Sequence, residues 1–226
     1  MNSKNNPADM PTVIRRIILG VLLFVMTVEL VLLFREQQWM NIFLVVMIMG
    51  LTSAPAVLGR QFRVYIPPEF QVLAIVFVFA ALFLGEIRGY YGRIWWWDIA
   101  LHTSSGLLMG IFGFLLVYLL NESEHIDLHM RPRFVALFAC LFAIVVGTLW
   151  EVFEFAMDQI VGTNMQKSMF GDPSGLTDTM WDMIVNALGA IFISALGWWY
   201  MVRRKQSFIE AWINKFIERN PRLFRL

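Results

Sequence analysis

The sequence predicts an all-α, polytopic membrane protein: a bundle of six transmembrane helices followed by a C-terminal amphipathic helix at the membrane interface. Three observations carry the prediction. Of 226 residues, 58% are hydrophobic and only 15% charged, with a mean hydropathy of +0.63; soluble domains are nearer to about 25% charged. Six runs are long and apolar enough to cross a bilayer, which takes roughly 20 residues each. Lysine and arginine, finally, are distributed unevenly between the two sets of connections. The apolar runs are continuous rather than alternating, which argues against a β-barrel.

The six segments fall near 13–34, 40–58, 69–87, 98–120, 134–158 and 178–202. The first is too long for the apolar core of a signal peptide and has no small-residue cleavage site after it, so it reads as a retained helix. Pro67 and Pro68 punctuate the second connection and Pro132 the fourth. With the N-terminal tail (residues 1–12) cytoplasmic, fourteen Lys and Arg lie inside and four outside, namely Arg35, Arg88, Arg93 and Lys167. Cytoplasmic loops carry the basic excess, so both termini are expected in the cytoplasm, with residues 13–202 in the membrane. Trp95, Trp96 and Trp97 fit an outer aromatic belt, and Trp198, Trp199 and Tyr200 an inner one. Residues 203–226 place Phe208, Ile209, Trp212, Ile213, Phe216 and Ile217 at helical spacing among basic side chains. That pattern suits a helix lying on an anionic leaflet. Membrane lipids are therefore the expected partners. A net charge of +1 gives no polyanion-binding signal, and there is no nucleic-acid motif, phosphate-binding glycine loop or nucleophile elbow. The single cysteine, Cys140, rules out an internal disulfide and reads as a small hydrophobe.

Polar residues then converge. The fourth segment enters from outside at Asp98, with His102 one turn later and about 6 Å deeper. The fifth rises from the inside, so that Glu151 lies about 27 Å above Arg133, with Glu154 and Asp158 on the same face. The sixth descends through Asp178, Asp182 and Asn186 at i, i+4 and i+8. Gly106, Gly110, Gly113, Gly147, Gly189, Ala190 and Gly197 continue these faces, and small residues let helices approach closely. The acids should point into the bundle. Glu86 is expected to pair with Arg88, and Glu29 lies deeper, where it could join the site.

A charged side chain mid-membrane costs about 2.5–3.5 kcal/mol on insertion scales, and crowded carboxylates repel one another as well. Such a cluster must share protons or hold a cation. The expected ligands are His102, Glu151, Glu154 and Asp182, and the expected cofactor is a divalent ion such as Zn, Mn or Fe. Asp98 and Asn186 are the candidate catalytic groups, with Asp158 and Asp178 supporting. Interhelical hydrogen bonding alone is the plain alternative, but six polar groups at one depth favour a functional site. The connection 159–177, with the turn sequence Gly171-Asp172-Pro173-Ser174-Gly175, is long and suits a lid. Thr177 is placed to cap the sixth helix.

The stretches "WWWDIALHTSSG", "WEVFEF" and "GDPSGLTDTMWDMIVNALGA" resemble the YjdF-like bacterial inner-membrane proteins over most of residues 40–200. More distantly, the order Asp98, His102, Glu151, Asp182, Asn186, Gly189 resembles the VanZ-like proteins associated with glycopeptide resistance. Those tend to carry Gln where this chain has Glu154, which leaves the present site more acidic. The resemblance implies a polytopic inner-membrane protein and names no substrate. Two functions fit the residues: a metal-dependent enzyme acting on a lipid or lipid-linked substrate at the outer leaflet, or a small ion- or proton-coupled transporter or lipid handler using the carboxylates as a relay. A membrane accessory scaffold is the third.

Overall fold

The structure is a computed structural model that describes residues 10–61, 67–121, 130–203, 216 and 218–220. Regular structure among them is helical: α1 (Met10–Arg35), α2 (Trp39–Gln61), α3 (Pro68–Val78) running on into a π-helical segment (Phe79–Ile87), the short α4 (Tyr90–Arg93), α5 (Trp97–Asn121), α6 (Pro132–Val161) and α7 (Leu176–Val202). One isolated bridge, between Met169 and Asp172, is the sole β pairing among the described residues. Among the described residues, five helices are long and apolar enough to cross a membrane: α1, α3 with its π segment, α5, α6 and α7. The described apolar part of α2, Trp39–Ala54, is shorter. The tail helix expected over 203–226 lies outside the described residues, apart from Arg203, Phe216 and 218–220.

Helix starts follow proline chemistry. Pro68 and Pro132 each sit in the first turn, where the missing N–H costs nothing and φ is already helical. α6 ends at Gly162, whose φ of 77° is the left-handed cap that glycine adopts without strain. Large apolar side chains such as Phe24, Phe43, Leu149 and Phe192 are exposed along the helices. In lipid that is no penalty, because acyl chains are as apolar as the side chains themselves.

The chain divides into two compact units, Met1–Arg93 and Ile94–Leu226. The first packs Met26, Leu33, Val45, Ile48, Phe79 and Phe83 into a buried core, with the Phe79 and Phe83 rings stacked at 4.8 Å. The π segment was not expected from the sequence. Its wide turn is closed by Arg88 N–H donating to the Phe83 carbonyl five residues back. Arg88 does not pair with Glu86 as expected. Its Nη1 bonds both carboxylate oxygens of Glu29, at 3.0 and 2.9 Å.

The second unit is a three-helix bundle in which α5, α6 and α7 each pack on the other two. The glycines decide how closely. A Cβ on Gly106 would lie 2.1 Å from the Asn186 carbonyl oxygen, and one on Gly189 2.3 Å from that of Thr103. The backbones of α5 and α7 therefore touch at a reciprocal glycine crossing. Gly113 meets the Ala139 backbone of α6 at 2.8 Å on the same measure. Such approach is what small residues contribute in a membrane, where van der Waals contact replaces the hydrophobic drive.

Candidate functional site

The glycine crossing fixes the heights of three helices, and with them one imidazole and three carboxylates. His102 of α5 is the hub. Its Nε2 lies 3.3 Å from Asp98 Oδ1, one turn earlier on α5, and 3.7 Å from Asp182 Oδ2 on α7. Its Nδ1, on the opposite side of the ring, lies 3.5 Å from Glu151 Oε1 on α6. Glu151 is 3% exposed and Asp182 1%. Neither oxygen of either carboxylate has a hydrogen-bond partner among the described residues. Buried polar atoms are normally paired, and an unpaired one costs roughly 1–3 kcal/mol. Four such oxygens around one ring are therefore held there at a cost. Asp98, His102 and Asp182 also offer three ligand atoms within 4.8 Å of one another. A tetrahedral ion with bonds of about 2.0–2.2 Å would hold its ligand atoms about 3.3–3.6 Å apart, so the side chains would draw together by about an ångström to close the set.

The other residues singled out in the sequence take different places. Asn186, 2% exposed, lies two turns along α7 from Asp178 and one from Asp182. Its amide occupies the space left by Gly147, where a Cβ would stand 2.6 Å from Nδ2, and that Nδ2 has no partner among the described residues. Glu154 is engaged one turn back: Trp150 Nε1 donates to its Oε1 at 2.8 Å. The i, i+4 spacing of Trp150 and Glu154 was legible in the sequence, although Trp150 was not singled out.

Asp158 and Asp178 hold the connection between α6 and α7. Asp158 accepts from Thr163 Oγ1 and from the Met165 and Gln166 amides at 2.6, 2.7 and 2.9 Å. Buried Asp178 accepts from the Lys167 amide at 2.7 Å, and Gln166 Nε2 donates to Thr179 Oγ1 at 2.7 Å. Asp172 completes the fastening, accepting from the Ser174 amide at 2.9 Å, the Thr177 amide at 3.1 Å and Thr177 Oγ1 at 2.7 Å. These donors, those of Ser174 first, hold the Asp172 carboxyl well below the usual carboxylate range. Thr177 is thus not the cap of α7: Gly175 takes that position at φ 79°, and Asp172 supplies the oxygen for the first turn. The connection between α6 and α7 is thus a strap tied by Asp158, Asp172 and Asp178.

A family model described as "Predicted membrane protein (DUF2238)" matches residues 14–203. An uncharacterised protein of Thermotoga maritima is 30% identical over 125 residues, which is 55% of this chain and 59% of that protein. No solved structure matches. The YjdF-like resemblance is compatible with this family, whereas neither match supports the VanZ-like one. With five helices fit to span a bilayer and a match running from the first of them to the end of the last, the chain belongs to the DUF2238 family of predicted membrane proteins.

Proposed function

We propose that the His102 cluster binds a divalent cation and that the protein is a membrane-embedded enzyme acting on a lipid or lipid-linked substrate. The observation that carries this reading is the asymmetry around the imidazole: Nε2 faces two carboxylates from two helices, and Nδ1 faces a third from another. Metal-binding histidines almost always donate their second N–H to a carboxylate or carbonyl, which fixes the tautomer and raises ligand basicity. On that logic His102 Nε2, Asp98 and Asp182 are the ligands. Glu151 is the orienting carboxylate, and Asp98 moves from proton transfer to ligation. One nitrogen with oxygen ligands suits Zn, Mn or Fe. Such an ion would polarise an ester or phosphoryl oxygen or activate a water. Asn186, one turn along α7 from Asp182 and with its Nδ2 unpartnered among the described residues, is the candidate to donate to a substrate oxygen. Glu154 stays near the site as a carboxylate already engaged by Trp150.

The Lys and Arg distribution supports six spans with α2 as the second, both termini cytoplasmic, the site opening toward the outer face of a bacterial inner membrane, and a basic tail along the inner leaflet. The proton-relay reading is favoured by one observation, that both ring nitrogens face carboxylates. Elemental analysis of the purified protein separates the two. The enzyme reading expects about one transition-metal ion per chain, lost in His102→Ala and Asp182→Asn. No stoichiometric metal in the wild type, with proton uptake coupled to transport in vesicles, would establish the relay instead.

A further inference from the structure

At the opposite end of the three-helix bundle, α6 and α7 leave a groove of about 460 Å³ lined by Arg133, Ala136, Cys140, Ile191, Ser194, Ala195 and Trp198. That volume lies in the range of small-molecule sites, about 300–1,000 Å³. The lining is graded. Arg133 is exposed at one end beside Trp198, and Ala136, Cys140, Ile191 and Ala195 form an apolar strip deeper in. Ser194 interrupts the strip. It is 5% exposed, and its Oγ has no hydrogen-bond partner among the described residues. Helical serines commonly bond the carbonyl four residues back, as Ser104 does to Ala100 at 2.6 Å. Ser194 does not, so its hydroxyl remains available to a ligand in the groove.

We infer that this groove is a binding site for an anionic phospholipid, with the phosphate on Arg133, the glycerol ester region at Ser194 and an acyl chain along the strip to Cys140 and Ile191. Three features fit that occupant. A guanidinium is the side chain suited to phosphate, and Trp198 lies at the level where tryptophan meets headgroups. Ser194 is one helical turn along α7 from Trp198, about 6 Å deeper, where ester oxygens can accept its hydroxyl proton. Charge also disfavours the chain's own tail, in which Arg204, Lys205, Lys215, Arg219, Arg222 and Arg225 outnumber Glu210 and Glu218. The site is independent of the His102 cluster, which lies toward the other ends of the same helices.

Cys140 is the single cysteine and is partly exposed, so it reports on the groove. Full-length protein in an uncharged detergent is alkylated with N-ethylmaleimide while lipid is titrated in. Saturating phosphatidylglycerol slows the reaction about tenfold, since alkylation then proceeds only through the small unoccupied fraction. Phosphatidylcholine and inorganic phosphate leave the rate unchanged. Arg133→Gln abolishes the protection, Arg133→Lys keeps part of it, and Ser194→Ala weakens it, each with an unchanged melting temperature. Should Arg133→Gln not fold, the lipid contrast in the wild type and the lysine variant decide. Equal protection by phosphatidylcholine, protection by phosphate alone, undiminished protection in Arg133→Gln, or a Cys140 that is unreactive without lipid would each overturn the inference.

Discussion

At the scale of single residues, the account turns on which atom of His102 faces which carboxylate. Asp98 and Asp182 share Nε2 and Glu151 has Nδ1, so the three acids are not equivalent although all lie within 3.7 Å of the ring. Glu151→Gln should weaken metal affinity by about 10–100-fold, the usual effect of losing an orienting carboxylate. Asp182→Asn should abolish stoichiometric binding. Titration with a chromophoric chelator distinguishes the two, and equal losses would show that Glu151 is itself a ligand. The sequence brought these residues to a common depth through helical spacing and the basic-residue count. It could not tell which face of a ring each acid meets, because that depends on how three helices rotate against one another. The Arg88–Glu29 pair was missed for a related reason. The partners are 59 residues apart, whereas Glu86 looked nearer only along the chain.

At the scale of helices and loops, the glycines are unequal. Gly106→Ala forces a methyl to within 2.1 Å of the Asn186 carbonyl oxygen, and because the obstacle is backbone, α5 and α7 must separate. A loss of about 1–3 kcal/mol is expected, as for overpacked cores, read as a lowered melting temperature in detergent. Gly20→Ala and Gly50→Ala meet nothing within 4 Å and should be neutral or stabilising by up to about 1 kcal/mol, the helix propensity difference. If all three behave alike, the close crossing is wrong. The small-residue faces were readable from sequence because their period is helical. The strap between α6 and α7 was readable only in part: the turn residues of 171–175 announced Asp172, but not that Asp158 and Asp178 reach back to the 165–167 amides. Asp172 gives the strap a pH signature. Its native pKa is depressed, so its contribution is complete above the ordinary carboxylate value of about 3.9 and is lost as pH falls through the lower native value. Amide exchange at Ser174 and Thr177, corrected for intrinsic rate, should stay slow down to that range and quicken below it. Asp172→Asn should quicken it already at neutral pH.

At the scale of the whole molecule, composition announced a helical membrane protein, and five helices meet the length and hydropathy for spanning. Side chains of α2 are described only as far as Ala54, so its described apolar part, Trp39–Ala54, is shorter than the five, although the sequence stays apolar to Gly59. The division into two units at Arg93 had no signal in hydropathy, since both units are equally apolar. It follows packing: the first unit is built on large side chains such as Phe79 and Phe83, the second on glycine contacts. The charge pattern carries the proposal that both termini are cytoplasmic. Cysteines introduced at position 3 and at position 172 of a Cys140→Ser background should differ in labelling by an impermeant maleimide on intact cells, with only position 172 modified; the reverse would invert the topology. The central claim is the cation at His102, and the measurement that addresses it most directly is an anomalous-scattering map of the crystallised protein collected at the absorption edges of Zn, Mn and Fe. One peak is expected about 2.0–2.2 Å from His102 Nε2 and from oxygens of Asp98 and Asp182, with Glu151 bonded to Nδ1 and not to the metal. Loaded with each metal in turn, a protein that shows no peak there, and carboxylates instead joined by short proton-sharing contacts, would contradict it.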